Sequence, residues 1–392
     1  MSAIRIYLDN HATTQVDPRV VDAMLPYFTE RFGNASSRNH SFGWDAERGV
    51  DEARRHVARL IGARAKDLVF TSGATESNNL AILGVARAAR GGRRRGIVTV
   101  CTEHHAVLEP CEQLAREGLE VVVLPVRPDG LVDLERVRDA ISDATLLVTV
   151  MAVNNEIGVI QPLAAIATMA HERGALFHTD ASQALGRMPF DVTAVDADLA
   201  SVTAHKMYGP KGVGGLYVRR RPFAPAIERL SHGGGHERGL RPGTLNVPAI
   251  VGFGAAAALC VAGSGTEIRR VSDLRTRLLR GLGAGVGDFH VNGSETARVP
   301  HNVNVSFPGV EGTALHLALD DVAVSSGAAC TTDSAEPSHV LTALGIDADL
   351  ARATVRVGLG RFTTAAEVDH FVGRMSQIVS ELRARQATLG RA

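Results

Sequence analysis

Short apolar segments alternate with helical patterns between about residues 50 and 220, and this alternation restricts the fold more than any other feature. The apolar runs are rich in β-branched residues and do not alternate strictly with polar ones, which indicates strands covered on both faces. They lie at 67–73, 96–102, 120–126, 145–153, 175–181 and 198–204. Strands of this kind form a mostly parallel sheet with crossover helices, so the region predicts an α/β domain.

The sequence after about residue 260 has a different pattern. A charged helical segment at 266–282 precedes a short strand at 302–308. The last helix is introduced by Thr364 and Glu367, which have the spacing of a capping box. An apolar stripe follows on one face of that helix, at Val368, Phe371, Val372, Met375, Val379 and Leu382. We therefore predict a second, smaller α+β domain.

Charge and composition exclude several classes of protein. Lys+Arg and Asp+Glu both number 42, so no net field attracts nucleic acid or an anionic membrane. The run at 249–263 is shorter than the ~20 residues that a spanning helix needs, and residues 1–10 contain no apolar stretch of signal-peptide length. Four cysteines without a CxxC pair argue against a disulfide framework and a structural zinc site. We expect a cytoplasmic protein without a metal.

Polar residues follow several of the predicted strands, where ligands of open α/β sheets bind. Thr75 lies at a strand-to-helix turn that suits an anion, although a capped helix start is the preferred explanation of this segment taken alone. His104 and His105 follow another strand, and the absence of Cys, Asp or Glu at ligand spacing makes a metal role the weaker alternative. Nucleotide-binding motifs of the GxGxxG and GxxxxGK types are absent from the sequence.

Two further strand ends supply an acid and a base. Asp180 directly follows an apolar run, so its carboxylate needs a cationic partner or hydrogen bonds. Lys206 follows the next strand and precedes a glycine-rich turn, which directs it into the same cleft. A carboxylate for a pyridinium nitrogen, a helix start for a phosphate, an imidazole for a ring face and a lysine for a Schiff base are the parts of a pyridoxal-5′-phosphate (PLP) enzyme.

These segments together resemble the NifS/IscS-type cysteine desulfurases of the PLP-dependent fold-type I, or class V aminotransferase, superfamily. The likeness extends from residues 7–14 to 359–364, nearly the whole chain. Eight segments match in order: FGNASSRNHSFGW, TSGATESNN, TEHHAVL, VNNEIGV, HTDASQALG, HKMYGPKGVG, GGGHERGLRPGT and SSGAAC…EPSHVL. The resemblance implies a large PLP-binding domain at 16–257 with a seven-stranded type of sheet. It also implies a smaller α+β domain made of 1–15 and 258–392.

The resemblance also implies the roles of individual residues. Lys206 matches the Schiff-base lysine, Asp180 the partner of the pyridinium nitrogen, and His104 the ring stacked on the cofactor. Gln183 and Asn155 match residues near the phenolic oxygen, and Asn155 is also expected to contact the substrate. The phosphate group is expected to bind Ala74, Thr75, Thr203 and His205, with Thr244 reaching in from the second subunit of a homodimer.

Two residues of the smaller domain complete the implied reaction. Arg356 matches the arginine that binds the carboxylate of the substrate L-cysteine, for which its bidentate guanidinium is suited. Cys330 matches the cysteine that accepts sulfur as a persulfide and passes it to an acceptor protein. Small and polar residues surround Cys330, as expected of a long mobile loop. Cys101, Cys111 and Cys260 lie in apolar segments and are expected to be structural.

The sequence departs from the family pattern at some positions and leaves alternatives open. His11 stands where Asn or Ser is usual, and Ala204 replaces a glycine. A selenocysteine lyase has the same apparatus, whereas a class V aminotransferase has no use for Cys330. A non-catalytic sulfur-transfer scaffold is the alternative from another class, and intact Lys206 and Asp180 argue against it. The acceptor protein, in iron–sulfur cluster assembly or thio-modification, is not determined by the sequence.

Overall fold

The computed structural model describes residues 6–220, 224–326 and 337–389. Its strands are β1 Ile6–Tyr7, β2 Leu68–Thr71, β3 Gly96–Val100, β4 Glu120–Leu124, β5 Thr145–Thr149, β6 Leu176–Asp180, β7 Leu199–Thr203, β8 Gly214–Val218, β9 His290–Val291, β10 Asn302–Ser306, β11 Val322–Ala323 and β12 Thr354–Gly358.

The helices lie between and after these strands. They are α1 Pro18–Met24, α2 Pro26–Thr29, α3 Ser41–Leu60, α4 Ala74–Ala88, α5 His105–Arg116, α6 Leu134–Ala140, α7 Leu163–Glu172, α8 Val192–Val195, α9 Val247–Gly285, α10 Gly312–Ala318, α11 His339–Ala343, α12 Ala348–Arg352 and α13 Ala365–Leu389. The helical patterns at 249–263 and 266–282 both fall within α9.

The main sheet has seven strands in the order β2-β8-β7-β6-β5-β3-β4. Strands β3 to β7 are mutually parallel, which confirms the mostly parallel sheet predicted from the apolar runs. The antiparallel strand β8 was not recognised in the sequence, because it begins with two glycines rather than β-branched residues. A side chain at Gly214 would lie 2.7 Å from the Cα atom of Gly73, so the close approach of β8 to the β2–α4 turn requires glycine there.

Successive residues of the central strands point into two different cores. Val98 of β3 packs in the core under α3, α7 and α9, together with Phe253. Its neighbour Ile97 packs on the other face, with Leu80 of α4 and Val107 of α5. Both faces of the sheet are therefore covered, which is why the strands read as continuous apolar runs.

A separate core lies in the C-terminal part of the chain. It is formed around the antiparallel sheet β12-β10-β9, whose Val303 and Val355 pack against Phe371 of α13. Leu8, from the N-terminal segment, joins this core and not that of the large sheet. The predicted capping box of α13 is present: the backbone N–H of Thr364 donates to the Glu367 carboxylate at 2.7 Å. This core matches the smaller α+β part expected from the sequence.

A helix that crosses a membrane must be both long and apolar. No single helix of residues 6–220, 224–326 and 337–389 is long and apolar enough to cross a membrane. The segments 247–263 and 265–285 meet these requirements only together, as a pair bent by 76°.

Candidate active site

A cavity of about 520 Å³ opens at the carboxyl ends of the parallel strands. It brings together nine of the residues singled out in the sequence, from segments that are up to 132 positions apart (74 to 206). They are Ala74, Thr75, His104, Asn155, Asp180, Gln183, Thr203, His205 and Lys206. Strand ends converge at this edge because the parallel connections place all of them on the same side of the sheet.

Asp180 is the buried acid of the cavity. Its two carboxylate oxygens accept hydrogen bonds from the side-chain amide of Asn78 at 2.7 Å and from the backbone N–H of Ser182 at 2.9 Å. Burial raises the pKa of this carboxyl, but the hydrogen bonds from Ser182 and Asn78 outweigh burial and leave the pKa below its ordinary value. Asp180 therefore carries a negative charge that neutral donors hold in place.

His104 caps α5 and forms part of the cavity wall. Its Nδ1 atom accepts the backbone N–H of Ala106 at 3.0 Å. Burial, with the positive charge of Lys206 as the next cause, lowers the pKa of His104 to about 4. The imidazole is thus neutral at physiological pH, and its proton lies on Nε2, because Nδ1 is the acceptor.

The first turn of α4 faces the cavity without a side-chain cap. Gly73 is the N-cap residue and has no side chain to cap the helix; Thr71 Oγ1 accepts from the Gly73 N–H at 3.4 Å, and no described side chain accepts from the N–H groups of 74–76. A Cβ atom added to Gly73 would meet no atom within 4 Å, so the space in front of the helix is open. Uncapped N–H groups and the helix dipole together favour an anion, which supports the phosphate site rather than the alternative of a capped helix start.

Lys206 lies in a turn that several backbone contacts hold in place. The carbonyl of the preceding residue, His205, accepts from the backbone N–H and the hydroxyl of Thr14, both at 2.9 Å. Gly209 closes the turn on Ala204, where a Cβ atom on Gly209 would approach the Ala204 side chain to 2.9 Å. Burial lowers the pKa of His205 to about 4, so the neighbour of Lys206 is a neutral imidazole.

Arg356 is fully buried beside the cavity but is not among the residues that line it. Its Nη2 atom donates to the Asp9 carboxylate and to the Ser325 hydroxyl, both at 2.8 Å. Its Nη1 atom donates to the backbone carbonyl of Asn155 at 3.1 Å, and its Nε atom has no partner among the described residues. The guanidinium therefore touches the cavity wall, and its Nε–H remains unused by the described residues.

One residue of the implied cofactor site, Thr244, is not brought into the cavity of this chain. Thr244 is exposed on the surface and is not among the residues that line it. Cys330 lies in 327–336, outside the described residues. Of the other cysteines, Cys111 and Cys260 are buried and Cys101 is half-buried directly after β3, not within that strand as predicted.

Several residues near the cavity were not identified from the sequence. Asn78 and Ser182 hold Asp180, Arg187 contacts Gln183, and Glu103 lies fully buried next to His104. The TSGATESNN, TEHHAV and HTDASQ segments, which contain or precede these residues, indicated that they lie near the cavity. The contacts of these residues depend on packing between distant segments and could not be predicted.

The residues around the cavity complement the chemical groups of pyridoxal phosphate. Asp180 supplies a buried negative charge for a protonated ring nitrogen, and the uncapped start of α4 supplies donors for a phosphate. The side-chain Oδ1 atom of Asn155 and the Oγ atom of Ser182 are shielded from solvent without a partner in the described chain, so polar groups remain to contact a ligand. The donor set therefore fits this cofactor.

Comparisons with known proteins agree with this geometry. The family model "Aminotransferase class-V" matches residues 6–371. "Cysteine desulfurase IscS" of Anaeromyxobacter sp. is 55% identical over 380 residues, which cover 97% of this chain and 94% of that protein. A solved "NifS-like protein" has a TM-score of 0.89 and 37% identity, and covers 96% of this chain and 100% of its own. A structure of "SspA in complex with cysteine" has a TM-score of 0.81 and 35% identity, over 92% of this chain and 100% of its own.

Proposed function

This chain belongs to the aminotransferase class-V family, and we propose that it is a cysteine desulfurase, which takes the sulfur of L-cysteine and leaves L-alanine. The observation that carries the proposal is the convergence of Lys206, Asp180 and His104 on one cavity at the carboxyl edge of the sheet. A 55% identical relative named as a cysteine desulfurase supports it over nearly the full chain.

Pyridoxal phosphate is the cofactor of this reaction, and when bound it withdraws electrons from an amino acid attached to it. Lys206 would hold it covalently, Asp180 would keep its ring nitrogen protonated, and His104 would contact the ring face. The first turn of α4, with Ala74 and Thr75, would bind the phosphate. The charges and hydrogen bonds of the cavity residues support these assignments.

Lys206 is the residue to which we assign the proton transfers at the α-carbon of the substrate. His104 is neutral with its Nδ1 atom already accepting from Ala106, so in this tautomer it donates a proton and does not remove one. His205, with its lowered pKa, is a weak base. Lys206 is therefore the strongest base among these three cavity residues once its amine is released.

Cys330 is the proposed sulfur acceptor. Its thiolate would attack the sulfur atom of the substrate, forming an S–S bond as the C–S bond breaks, and the electron pair of the broken bond would remain with the three-carbon fragment. That fragment leaves as alanine after protonation, and Cys330 keeps the persulfide. The Ser325 hydroxyl accepts a hydrogen bond from Arg356. Cys330 lies five positions after Ser325, and five extended residues at ~3.3 Å each give the cysteine a reach of roughly 17 Å from that point.

Arg356 is the proposed binding group for the substrate carboxylate. Its guanidinium contacts the backbone of Asn155, which lines the cavity, and has an unused Nε–H. A guanidinium presents two parallel donors to a carboxylate, so it fixes the orientation of the amino acid as well as its charge. The carboxylate of Asp9 already accepts a hydrogen bond from the Arg356 guanidinium, so it competes with the substrate carboxylate for the donors of this arginine.

A homodimer is proposed from an exposed aromatic surface. Phe28, Phe32, Phe42 and Trp44 are all more than 45% exposed within one short stretch of chain. Large exposed apolar patches mark interaction surfaces in soluble proteins. A second copy covering this surface is consistent with the exposed Thr244, which we propose reaches the phosphate site of the partner.

The remaining assignments are also proposals. We propose that the domains are 16–257 and the pair 1–15 with 258–392, since Leu8 packs in the C-terminal core. We propose that the persulfide passes to an acceptor protein of iron–sulfur cluster assembly or thio-modification, in the cytoplasm and without direct binding to nucleic acid.

The test of the function is the Cys330→Ser variant of the full-length enzyme. The residues proposed to bind the cofactor do not include Cys330, so the variant should keep the visible absorbance of the bound cofactor and its spectral response to L-cysteine. Alanine release and persulfide should fall to background, because a hydroxyl is neither ionised nor thiophilic near neutral pH. Full desulfurase activity in the variant would contradict the assignment. Wild-type activity with selenocysteine but not with cysteine would instead support a selenocysteine lyase.

A further inference from the structure

Arg187 is a buried cation without a carboxylate partner among the described residues. Arg187 is only 4% exposed, and each of its hydrogen-bond acceptors in the described chain is uncharged. Its Nη2 atom donates to the backbone carbonyls of Asn10 at 2.5 Å and Lys206 at 3.3 Å. Its Nη1 atom donates to the side chains of Gln183 and His11. An isolated buried charge is costly, so this position calls for a compensating anion.

The surroundings of Arg187 do not supply that anion. The charged and titratable groups that interact with it are Tyr208, Cys260, Glu267, Arg356 and the histidines His11, His205 and His301. Glu267 is the only carboxylate in this group, and it pairs with Arg361 at 2.8 Å. Burial, with Arg356 among the further causes, lowers the pKa of Arg187 to about 10, so the guanidinium is still charged at neutral pH.

The histidines near Arg187 are neutral and do not compensate its charge. Burial and then Arg187 lower the pKa values of both His11 and His301 well below the ordinary value. The Nδ1 atom of His11 lies 2.7 Å from the Arg187 Nη1 atom, and because a guanidinium only donates, Nδ1 is an acceptor. The proton of His11 is therefore on Nε2, which is buried without a partner in the described chain.

Arg187 also fixes the orientation of the Gln183 amide. The Oε1 atom of Gln183 accepts from Arg187, so the amide nitrogen points the other way. One Nε2–H of Gln183 donates to the backbone carbonyl of His11 at 3.0 Å. Gln183 lines the cavity, and its second Nε2–H is the donor that remains for a ligand. In this arrangement Gln183 offers a ligand a hydrogen-bond donor and no acceptor.

We propose that Arg187 is a positioning residue that holds Gln183 as a donor toward an anionic oxygen of the bound cofactor, and that this oxygen compensates the buried charge of Arg187. The proposal rests on the proposed function, since it requires pyridoxal phosphate in the cavity. It assigns to Arg187 an electrostatic effect on the cofactor without direct contact, transmitted through the Gln183 amide.

The proposal is tested with Arg187→Gln, Arg187→Lys and the control Arg298→Gln. Arg298 is a suitable control because it is also buried, donates to the backbone carbonyls of Ser294 and Asn292, and forms no ion pair in the described chain. Each variant is purified with cofactor, and the pH midpoint of its visible absorbance is measured together with the dissociation constant of pyridoxal phosphate and the melting temperature.

A buried cation disfavours protonation of a nearby group, so removing it should raise the pH midpoint of the cofactor absorbance. We expect a rise of about one pH unit in Arg187→Gln and a roughly tenfold weaker cofactor affinity from the misplaced Gln183 donor. Arg187→Lys should retain most of the wild-type midpoint because it keeps the charge. Arg298→Gln should lower the melting temperature without moving the midpoint.

Two outcomes would overturn the proposal. The first is an unchanged pH midpoint in a folded, cofactor-loaded Arg187→Gln protein, and the second is an equal shift in Arg298→Gln. If Arg187→Gln does not fold, the affinity of Arg187→Lys for pyridoxal phosphate decides: a weaker affinity supports the proposal, and an affinity equal to wild type contradicts it. Failure of the wild type to bind pyridoxal phosphate would instead contradict the proposed function.

Discussion

Arg356 donates to Asp9 at 2.8 Å and so joins β12 to the segment that follows β1, at the edge of the active-site cavity. The arginine is 1% exposed, so the pair is shielded from solvent on the side of the guanidinium. One guanidinium thus serves the fold through Asp9 and is also the group proposed to bind the carboxylate of the substrate. The two roles are separable by experiment.

The variants Arg356→Ala and Asp9→Asn should separate these roles. Both break the ion pair, so both should lower the free energy of unfolding, with Arg356→Ala losing about 3 kcal/mol. Only Arg356→Ala removes the proposed substrate clamp, so it should raise the KM for cysteine about tenfold or more, whereas Asp9→Asn should leave the KM unchanged or lower it. Steady-state kinetics and urea unfolding measure the two effects. An unchanged KM in Arg356→Ala would show that the arginine is purely structural.

Lys206→Ala should abolish turnover while leaving the protein folded. The residue lies in a cavity and in a turn that backbone contacts of His205 and Ala204 hold, so little packing is lost. Asp180 and the first turn of α4 remain available to bind pyridoxal phosphate without a covalent bond. Borohydride reduction followed by peptide mass spectrometry should find the cofactor on Lys206 in wild type and on no peptide of the variant. Attachment to another lysine would contradict the assignment.

Glu103→Gln should increase stability at neutral pH. Burial raises the pKa of this carboxyl well above its ordinary value, and although the backbone N–H of Met151 opposes the rise, Asp180 adds to it. The folded protein favours the protonated form of this carboxyl. The free energy of unfolding of the wild type therefore falls as pH rises from about 4.5 toward the raised pKa. The glutamine of the variant does not ionise, so the variant has no such loss of stability.

The advantage of Glu103→Gln over wild type should therefore grow by about 1.4 kcal/mol per pH unit in that window. Urea unfolding at pH 5, 6, 7 and 8 measures it. The exposed residue Glu120, changed to Gln, is the matched control and should show no such growth. A stability difference that does not vary with pH would mean that Glu103 is ionised in the folded protein.

Phe32→Asp should convert the proposed homodimer into monomers. Phe32 is 62% exposed and its ring lies 5.3 Å from that of Phe42, so a charge there would be buried in the aromatic contact between subunits. Leu317→Asp is the control, because Leu317 is 76% exposed but distant in sequence from this surface. Sedimentation at several concentrations measures the mass. The monomer should also bind pyridoxal phosphate more weakly, since it would lack the partner's Thr244. A Phe32→Asp protein that stays dimeric would place the interface elsewhere.

The local sequence was sufficient to predict six strands of the large sheet, the capping box of α13 and the cluster of strand-end residues. These features depend on neighbours within a few positions: apolar runs between turns, and Thr364 three residues before Glu367. Strand β8 was missed because two glycines replace the β-branched residues of an ordinary strand. Gly214 is explained by the close approach of Gly73 in the folded chain, and a Cβ atom on Gly215 would lie 3.0 Å from the Leu68 side chain.

The sequence by itself determined that Lys206, Asp180 and His104 stand at strand ends, because apolar periodicity and parallel topology are properties of local segments. Tertiary structure alone decided the electrostatic environment around these three residues. The raised pKa of Glu103, the donor orientation of Gln183 and the uncompensated charge of Arg187 arise from burial and from contacts between distant segments, such as that of Arg187 with His11, which is 176 positions away. Desolvation depends on what packs around a group, and no local pattern in the sequence contains that information.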